Sequence, residues 1–416
     1  MRFVRSCASD WSCFAILFIL SLTLVFSGCG TRSNPMATQP PTSPPPTTQP
    51  PATQQPPTQP NYPSTPPVAI TWSPQSSNLP APPSCDPPTS SCTAPYPNGS
   101  NNFPLTVSAP LDKASVTSPM HVAASTTPKN PLFFMRVYVD NLAVYFTFTN
   151  SIDTQIFVAP GQHTVEVMAE DKQGYISSTI VGVNVTSQQP QTTISGIQNM
   201  PGWQSCAADF PVGSGRDGQV CASGNPNPPT STMTPNQSSP AMDGKSAKFT
   251  MSGPNGYSNE LYFNAIAGGN NVSHFTYDLY FYIDNPSAPQ ALEFDVNQTF
   301  GGYRWVWGSE CNFKGDKPPS WDIWDDEAGL WRQTSVPCNT FPANTWIHLV
   351  WQFERVGNQV HYISLQVGDQ TYNVDTYYNN QVDWTLEEID TAFQMDLPQP
   401  PVSYNVWLDQ VNLTAW

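Results

Sequence analysis

In Leu292-Glu293-Phe294-Asp295-Val296-Asn297-Gln298 apolar and polar residues alternate from Leu292 to Asn297. Successive side chains of a β-strand point to opposite faces. Leu292, Phe294 and Val296 therefore enter a core, and Glu293, Asp295 and Asn297 share the other face. The same period of two recurs in Tyr277–Asp284, Tyr303–Gly308, Trp346–Glu354, Val360–Val367 and Tyr404–Trp416. Helical spacing is nearly missing. Thr385–Ala392 alone predicts a turn or two of helix, and Pro318–Asp326 reads as a loop. Ten of the thirteen tryptophans fall between Trp305 and Trp416, enough aromatic bulk for a large core. Residues 190–416 thus predict one large all-β sandwich.

Working outward, residues 102–188 predict a smaller sandwich. Short alternating runs include Met135, Val137 and Val139, then Val165, Val167 and Ala169, then Ile180, Val183 and Val185. Turn signals at Asp140-Asn141, Pro160-Gly161 and Asp171 to Gly174 separate them. Roughly seven short strands in about 85 residues suit an Ig-like sandwich. The stretches SAPLDKASVTSP, VYVDN and GQHTVEVMAEDKQG resemble the bacterial Ig-like modules of surface proteins. That resemblance implies a spacer or presenter, with adhesion through loops as the alternative. This segment has neither Cys nor Trp, so aliphatic burial alone must hold its core.

Residues 29–101 are rich in Pro, Thr and Gln, with TQPPTSPPPTTQPPATQQPPTQP at their centre. Proline fixes φ and removes backbone donors, so this stretch predicts an extended, disordered linker. At the polyproline rise about 70 residues reach roughly 200 Å. Residues 1–28 read as a signal peptide: Arg2 and Arg5, an apolar run from Phe14 to Phe26, then small residues. Phe26-Ser27-Gly28-Cys29 resembles the bacterial lipobox, with Phe26 where that family prefers Leu. The resemblance implies a lipoprotein anchored through lipidated Cys29. Gly30, where an Asp would signal inner-membrane retention, points to the outer membrane. A plain secretory signal is the competing reading. An apolar run this short, followed at once by polar, Pro-rich sequence, argues against a transmembrane span.

Charge and cysteine usage narrow the function. Fifteen Lys and Arg against 31 Asp and Glu give a net charge of −16. No basic patch can neutralise phosphates, which excludes a nucleic-acid partner. Membrane contact is expected through the lipid anchor only. Six cysteines remain beyond the anchor, and an even number in an exported chain predicts disulfides. Neighbour pairing gives Cys85–Cys92, Cys206–Cys221 and Cys311–Cys338, each closing a loop rich in Pro, Gly or polar residues.

The layout of residues 190–416 resembles the concanavalin A-like jelly roll shared by legume-type lectins, laminin-G modules and laminarinase-type hydrolases. Joined to an Ig-like module behind a lipobox, it also resembles a group of uncharacterised bacterial surface lipoproteins. Laminarinase-type enzymes carry Glu-x-Asp-x-(x)-Glu on the catalytic strand, and Glu293 and Asp295 match its nucleophile and assisting acid. The third place holds Gln298 if the strand bulges, or Asn297 if it is regular. Neither carboxamide can donate a proton. Retaining hydrolysis needs two carboxyl groups about 5 Å apart, one of them protonated. The reading therefore leans away from an enzyme. A glycoside hydrolase or lyase of the same fold is the alternative, and it would need Asp322, Asp325 or Glu354 as the acid.

A carbohydrate-binding site uses the same residues directly. Sugars present hydroxyls to carboxylates and amides, and C–H faces to aromatic rings. Glu293, Asp295, Asn297, Gln298, Trp305, Trp307, Trp321 and Trp324 are the expected ligand contacts. Trp346, Trp351, Trp407 and Trp416 are assigned to packing, and His348 to a structural role. No GxSxG, HExxH or phosphate loop occurs, so no catalytic residue is named. Related sandwiches hold a structural Ca²⁺ near a terminal-strand Asp, the place where Asp409 stands; no other cofactor is expected. The sequence thus predicts a lipid-anchored, cell-surface protein that binds a polysaccharide or other glycan. A structural or adhesive protein without a small ligand is the third reading.

Overall fold

A computed structural model of the chain describes residues 100–188, 191–207, 229–315, 318–383 and 387–416. The expected signal peptide and lipid anchor, nearly all of the expected linker, and Cys85, Cys92 and Cys221 of the expected pairs Cys85–Cys92 and Cys206–Cys221 lie outside the described residues. The described chain is all-β, with one short 3₁₀ turn at Ile197–Asn199.

Residues 100–188 form β1 (Ser100–Asn101), β2 (Leu105–Ala109), β3 (Ala114–Ser118), β4 (Met120–Thr126), β5 (Leu132–Val139) and β6 (Leu142–Thr147). β7 (Ser151–Phe157), β8 (Gly161–Asp171) and β9 (Ile176–Gln188) follow. One sheet runs β1-β9-β8-β5-β6 with β3 beside β9, and it packs on β2-β4-β7. Val122, Ile152, Val137, Val165 and Val167 meet between the two layers, and Phe103 and Tyr145 join them, so the core is mainly but not solely aliphatic.

The larger sandwich begins with β10 (Thr192–Ser195), β11 (Gln204–Ala207), β12 (Thr230–Gln237), β13 (Ser246–Ser252), β14 (Asn259–Gly269) and β15 (His274–Ile283). It continues through β16 (Ala291–Phe300), β17 (Tyr303–Trp307), β18 (Ser309–Asn312), β19 (Ser320–Asp325) and β20 (Leu330–Pro337). β21 (Trp346–Val356), β22 (Gln359–Val367), β23 (Gln370–Asn379), β24 (Gln381–Val382), β25 (Glu388–Asp396) and β26 (Tyr404–Ala415) complete it. One layer has the order β12-β13-β26-β15-β21-β22-β23. The other runs β14-β25-β16-β18-β19-β20, with β17 also on β16. This is a jelly-roll-type sandwich. Two local expectations are corrected. Residues 388–396 are strand, because Glu388 to Asp396 is held between β14 and β16 by ladders on both sides. The segment after Pro318-Pro319 is also strand, paired on both edges by β18 and β20.

Alternation produces the core. On β15, Phe275, Tyr277, Leu279, Phe281 and Ile283 are buried, and their neighbours face outward. Across the layers Phe275 meets Trp307, Phe281 meets Phe294, and Trp321 meets Trp351, with ring centroids 5.2, 5.3 and 6.4 Å apart. Each buried ring of this size contributes roughly 3–5 kcal/mol against truncation to Ala. Cys311 and Cys338 are disulfide-bonded and tie β18 to the end of β20.

The two sandwiches share a sheet. β7 pairs in parallel with β14, setting Gln155, Ile156 and Phe157 opposite Ala267, Gly268 and Gly269. A Cβ on Gly268 would collide with the Val144 carbonyl oxygen, and one on Gly269 with that of Phe157. Glycine is needed there because backbone meets backbone. Beside this seam Arg136 of β5 pairs with Glu387, just before β25, at 2.9 Å, and both side chains are buried. The described residues all fall within one compact unit.

Candidate functional site

β16 lies at the centre of its layer and is buried along nearly its whole length on both faces. Its pairing with β25 and β17 is regular, with no bulge between Leu292 and Gln298. Asn297, rather than Gln298, therefore stands on the face of Glu293 and Asp295. Register carries that face sideways. Gln394, Glu293, Glu310 and Asp322 form one row across four strands. Asp390, Asn297 and Val306 form another.

The second row floors a cleft of about 260 Å³ whose walls include Asp295, Asn297, Arg304, Trp324, Asp326 and Asp390. Asp295 is 8% exposed and accepts the Ser309 N–H on Oδ1 at 3.0 Å. Burial pushes its carboxyl up to about 8; the Ser309 N–H opposes that shift and the charge of Asp390 adds to it. Asn297 donates from Nδ2 to Asp390 Oδ1 at 2.9 Å, which fixes the amide's orientation. Arg304 donates from Nη2 and Nε to the two oxygens of Asp326 at 2.9 and 3.0 Å, and its Nη1 turns towards Asp383. Burial opposes the guanidinium charge, but Asp326 and Asp383 outweigh it and hold the group above its ordinary range. Trp324 donates its indole N–H to Asp326 and packs edge-on against Trp331. Beneath the floor the Tyr362 hydroxyl lies 3.0–3.2 Å from the carbonyls of Val306, Gly308 and Trp324, pinning three lining segments to the opposite layer.

At one end of the face Glu293, Glu310 and Asp396 bring carboxylate oxygens within 4.8 Å of one another. Burial first, then the charges of Asp396, Asp295 and Glu310, holds Glu293 well above the carboxylate range. Burial places Asp396 at about 7, against the Gln394 hydrogen bond. Gln394 donates from Nε2 to both Glu293 and Asp396, so an amide nitrogen already sits where a cation would bridge them. Asp409, the residue expected to hold Ca²⁺, is elsewhere and fully buried. Its two oxygens accept the N–H groups of Met242 and Gln410, which spends them on tying a loop.

The structure brings Asp295, Asn297 and Trp324 together, with Glu293 in the adjoining row. It corrects the other expected contacts. Trp307 stands opposite Val296 and Trp305 opposite Gln298, so the register turns both indoles into the core, where each is at most 1% exposed. Trp321 lies three residues before Trp324, which on a strand is the opposite face, and it too is in the core. Gln298 is buried beneath the sheet, donating to the carbonyls of Gly269 and Val272 and accepting from Arg355. Of the acids that could complete a hydrolase, Asp322 shares the acidic row, held by Ser320 and Asn312. Asp325 is paired with Arg332, and Glu354 lies on the other layer between His274 and His361. Arg304, Asp326 and Asp390 belong to the cleft without being expected from the sequence. Arg304 had a visible signal, since it alternates with Tyr303 and Trp305 on β17.

No protein-family model and no curated protein matches the chain. Among solved structures, it is similar to carbohydrate-binding modules of the β-sandwich superfamily, at 12% identity and a TM-score of 0.26 over 74% of this chain and 96% of that one. Arcelin-5, a lectin-like defence protein from Phaseolus vulgaris, aligns at 10% identity and a TM-score of 0.29, covering 54% and 98%. Peanut lectin aligns at 11% identity and a TM-score of 0.27, covering 54% and 97%.

Proposed function

We propose that the cleft over β16 binds carbohydrate, and that the chain is a lipid-anchored surface protein presenting it. The observation that carries the reading is one open concavity combining a half-buried tryptophan, Trp324, with fixed polar groups on Asp295, Asn297 and Asp390. A pyranose offers matching chemistry, an apolar C–H face and a ring of hydroxyls. Cys29 is the proposed lipid attachment, residues 29–101 the spacer, and residues 102–188 an Ig-like presenter. A glycan array probed with the mature chain, and again with Trp324→Ala, tests the site. Binding that Trp324→Ala abolishes while the fold survives supports it; no binding to any glycan refutes it. New reducing ends on a bound glycan would turn the reading towards a hydrolase. For the anchor, Cys29→Ala is expected to leave the membrane fraction or remain an unprocessed precursor.

A further inference from the structure

The hydrogen-bond polarity of the cleft narrows what it takes, granted the carbohydrate reading. Asp295 is more than nine-tenths buried, lines the cavity, and receives one hydrogen bond, on Oδ1, among the described residues. The Asn297 Oδ1 atom is buried and has no hydrogen-bond partner, because its Nδ2 is committed to Asp390. An amide oxygen is an acceptor, and an acceptor left dry is costly unless a ligand supplies a donor. Around Asp295 and Asn297 stand the carboxyl groups of Asp326, Glu388 and Asp390. The one cation in the wall, Arg304, turns Nε, Nη1 and Nη2 towards Asp326 and Asp383. Little of its charge remains for a ligand.

We infer that the cleft selects glycans bearing protonated amines, of the glucosamine type, over their neutral counterparts, and rejects uronates and sulfated sugars. An ammonium brings three donors and a positive charge to the Asn297 acceptor and to the carboxylates of Glu388 and Asp390, whereas a uronate brings a further anion to those two acids.

The test uses the full mature chain and three oligosaccharides of equal length, titrated calorimetrically in mildly acidic buffer. They are a β-1,4-glucosamine oligomer, its N-acetylated form and an oligogalacturonate. The expected result is that the free-amine oligomer binds at least about 10-fold tighter than the acetylated one, and that the uronate does not bind. The preference for the amine over the acetamide should shrink as salt is raised and fall further in Glu388→Gln and Asp390→Asn variants, read as the ratio of the two affinities. Equal affinity for amine and acetamide, or binding of the uronate, overturns the charge selection and leaves the carbohydrate reading standing. Failure of all three, with no hit on the glycan array, overturns the carbohydrate reading itself.

Discussion

Removing the acid from the Arg136–Glu387 pair tests whether the two sandwiches stand or fall together. The guanidinium is 1% exposed and the carboxylate 3%, with 2.9 Å between them. Phe134 and Phe146 each lie 5.0 Å from the guanidinium carbon and seal it from water. Replacing a buried pair by apolar groups is often neutral, but stranding one charge costs about 3–5 kcal/mol. Glu170, buried nearby, also feels the Arg136 charge. Glu387→Gln therefore leaves Arg136 partly compensated and belongs at about 3 kcal/mol, whereas Arg136→Met strands both acids and belongs nearer 5. For a unit of this size about 2 °C accompanies each kcal/mol, so the midpoint should fall by roughly 6–10 °C. Urea denaturation of the mature chain, followed by tryptophan fluorescence and circular dichroism, reads both values. The wild type should unfold in one transition, because β7 and β14 share a ladder across the seam. An Arg136→Met, Glu387→Leu double variant should recover most of the loss. A Glu387→Gln cost below about 1 kcal/mol, well under the range for a buried pair, would refute the claim that this charge is sealed in the interface.

Further outcomes follow from the same geometry. Asp295 at about 8, Asp396 at about 7 and Glu293 well above its usual range all bind protons in the folded chain that they release when unfolded near neutral pH. Their stabilising contribution is complete below about pH 4 and is lost as pH rises through 7 to 8, so the melting temperature should fall across that window. Asp295→Asn should flatten the slope, and a melting temperature that rises between pH 5 and 8 would contradict the burial argument. Trp307→Ala should cost roughly 3–5 kcal/mol as a core truncation, while Trp324→Ala should cost far less and act on glycan binding; chemical denaturation beside a binding assay separates the two. Paired Cys311→Ser and Cys338→Ser should cost about 2–4 kcal/mol, measured against the oxidised chain.

How much of this could be read in the residues depends on the range of the interaction. The run Leu292–Gln298 displays its own two faces, and the outward set Glu293, Asp295 and Asn297 is the set the structure gathers. Tyr303–Trp307 displays two faces as well, but the choice of core face rests on pairing with β16, and Arg304 was the local hint. Pro318–Asp326 looked like a loop because prolines and acids crowd it, yet ladders on both edges make it strand. Thr385–Ala392 looked helical by spacing, and its neighbours β14 and β16 overrode that preference.

By itself the sequence determined the all-β class and the position of β16, with Glu293, Asp295 and Asn297 on one face, because burial with a period of two is a local property of a strand. It also marked Cys311 and Cys338 as a pair closing a short loop. Only the tertiary structure decided what stands opposite that face. The Asn297–Asp390 contact spans 93 residues and the Arg304–Asp383 contact 79. Contacts of that span are set by strand order and register, which no local pattern encodes. The same register that carried Asp390, Asp326 and Trp324 to the cleft turned Trp305, Trp307 and Trp321 away from it, because on a pleated strand one step of register exchanges core for surface.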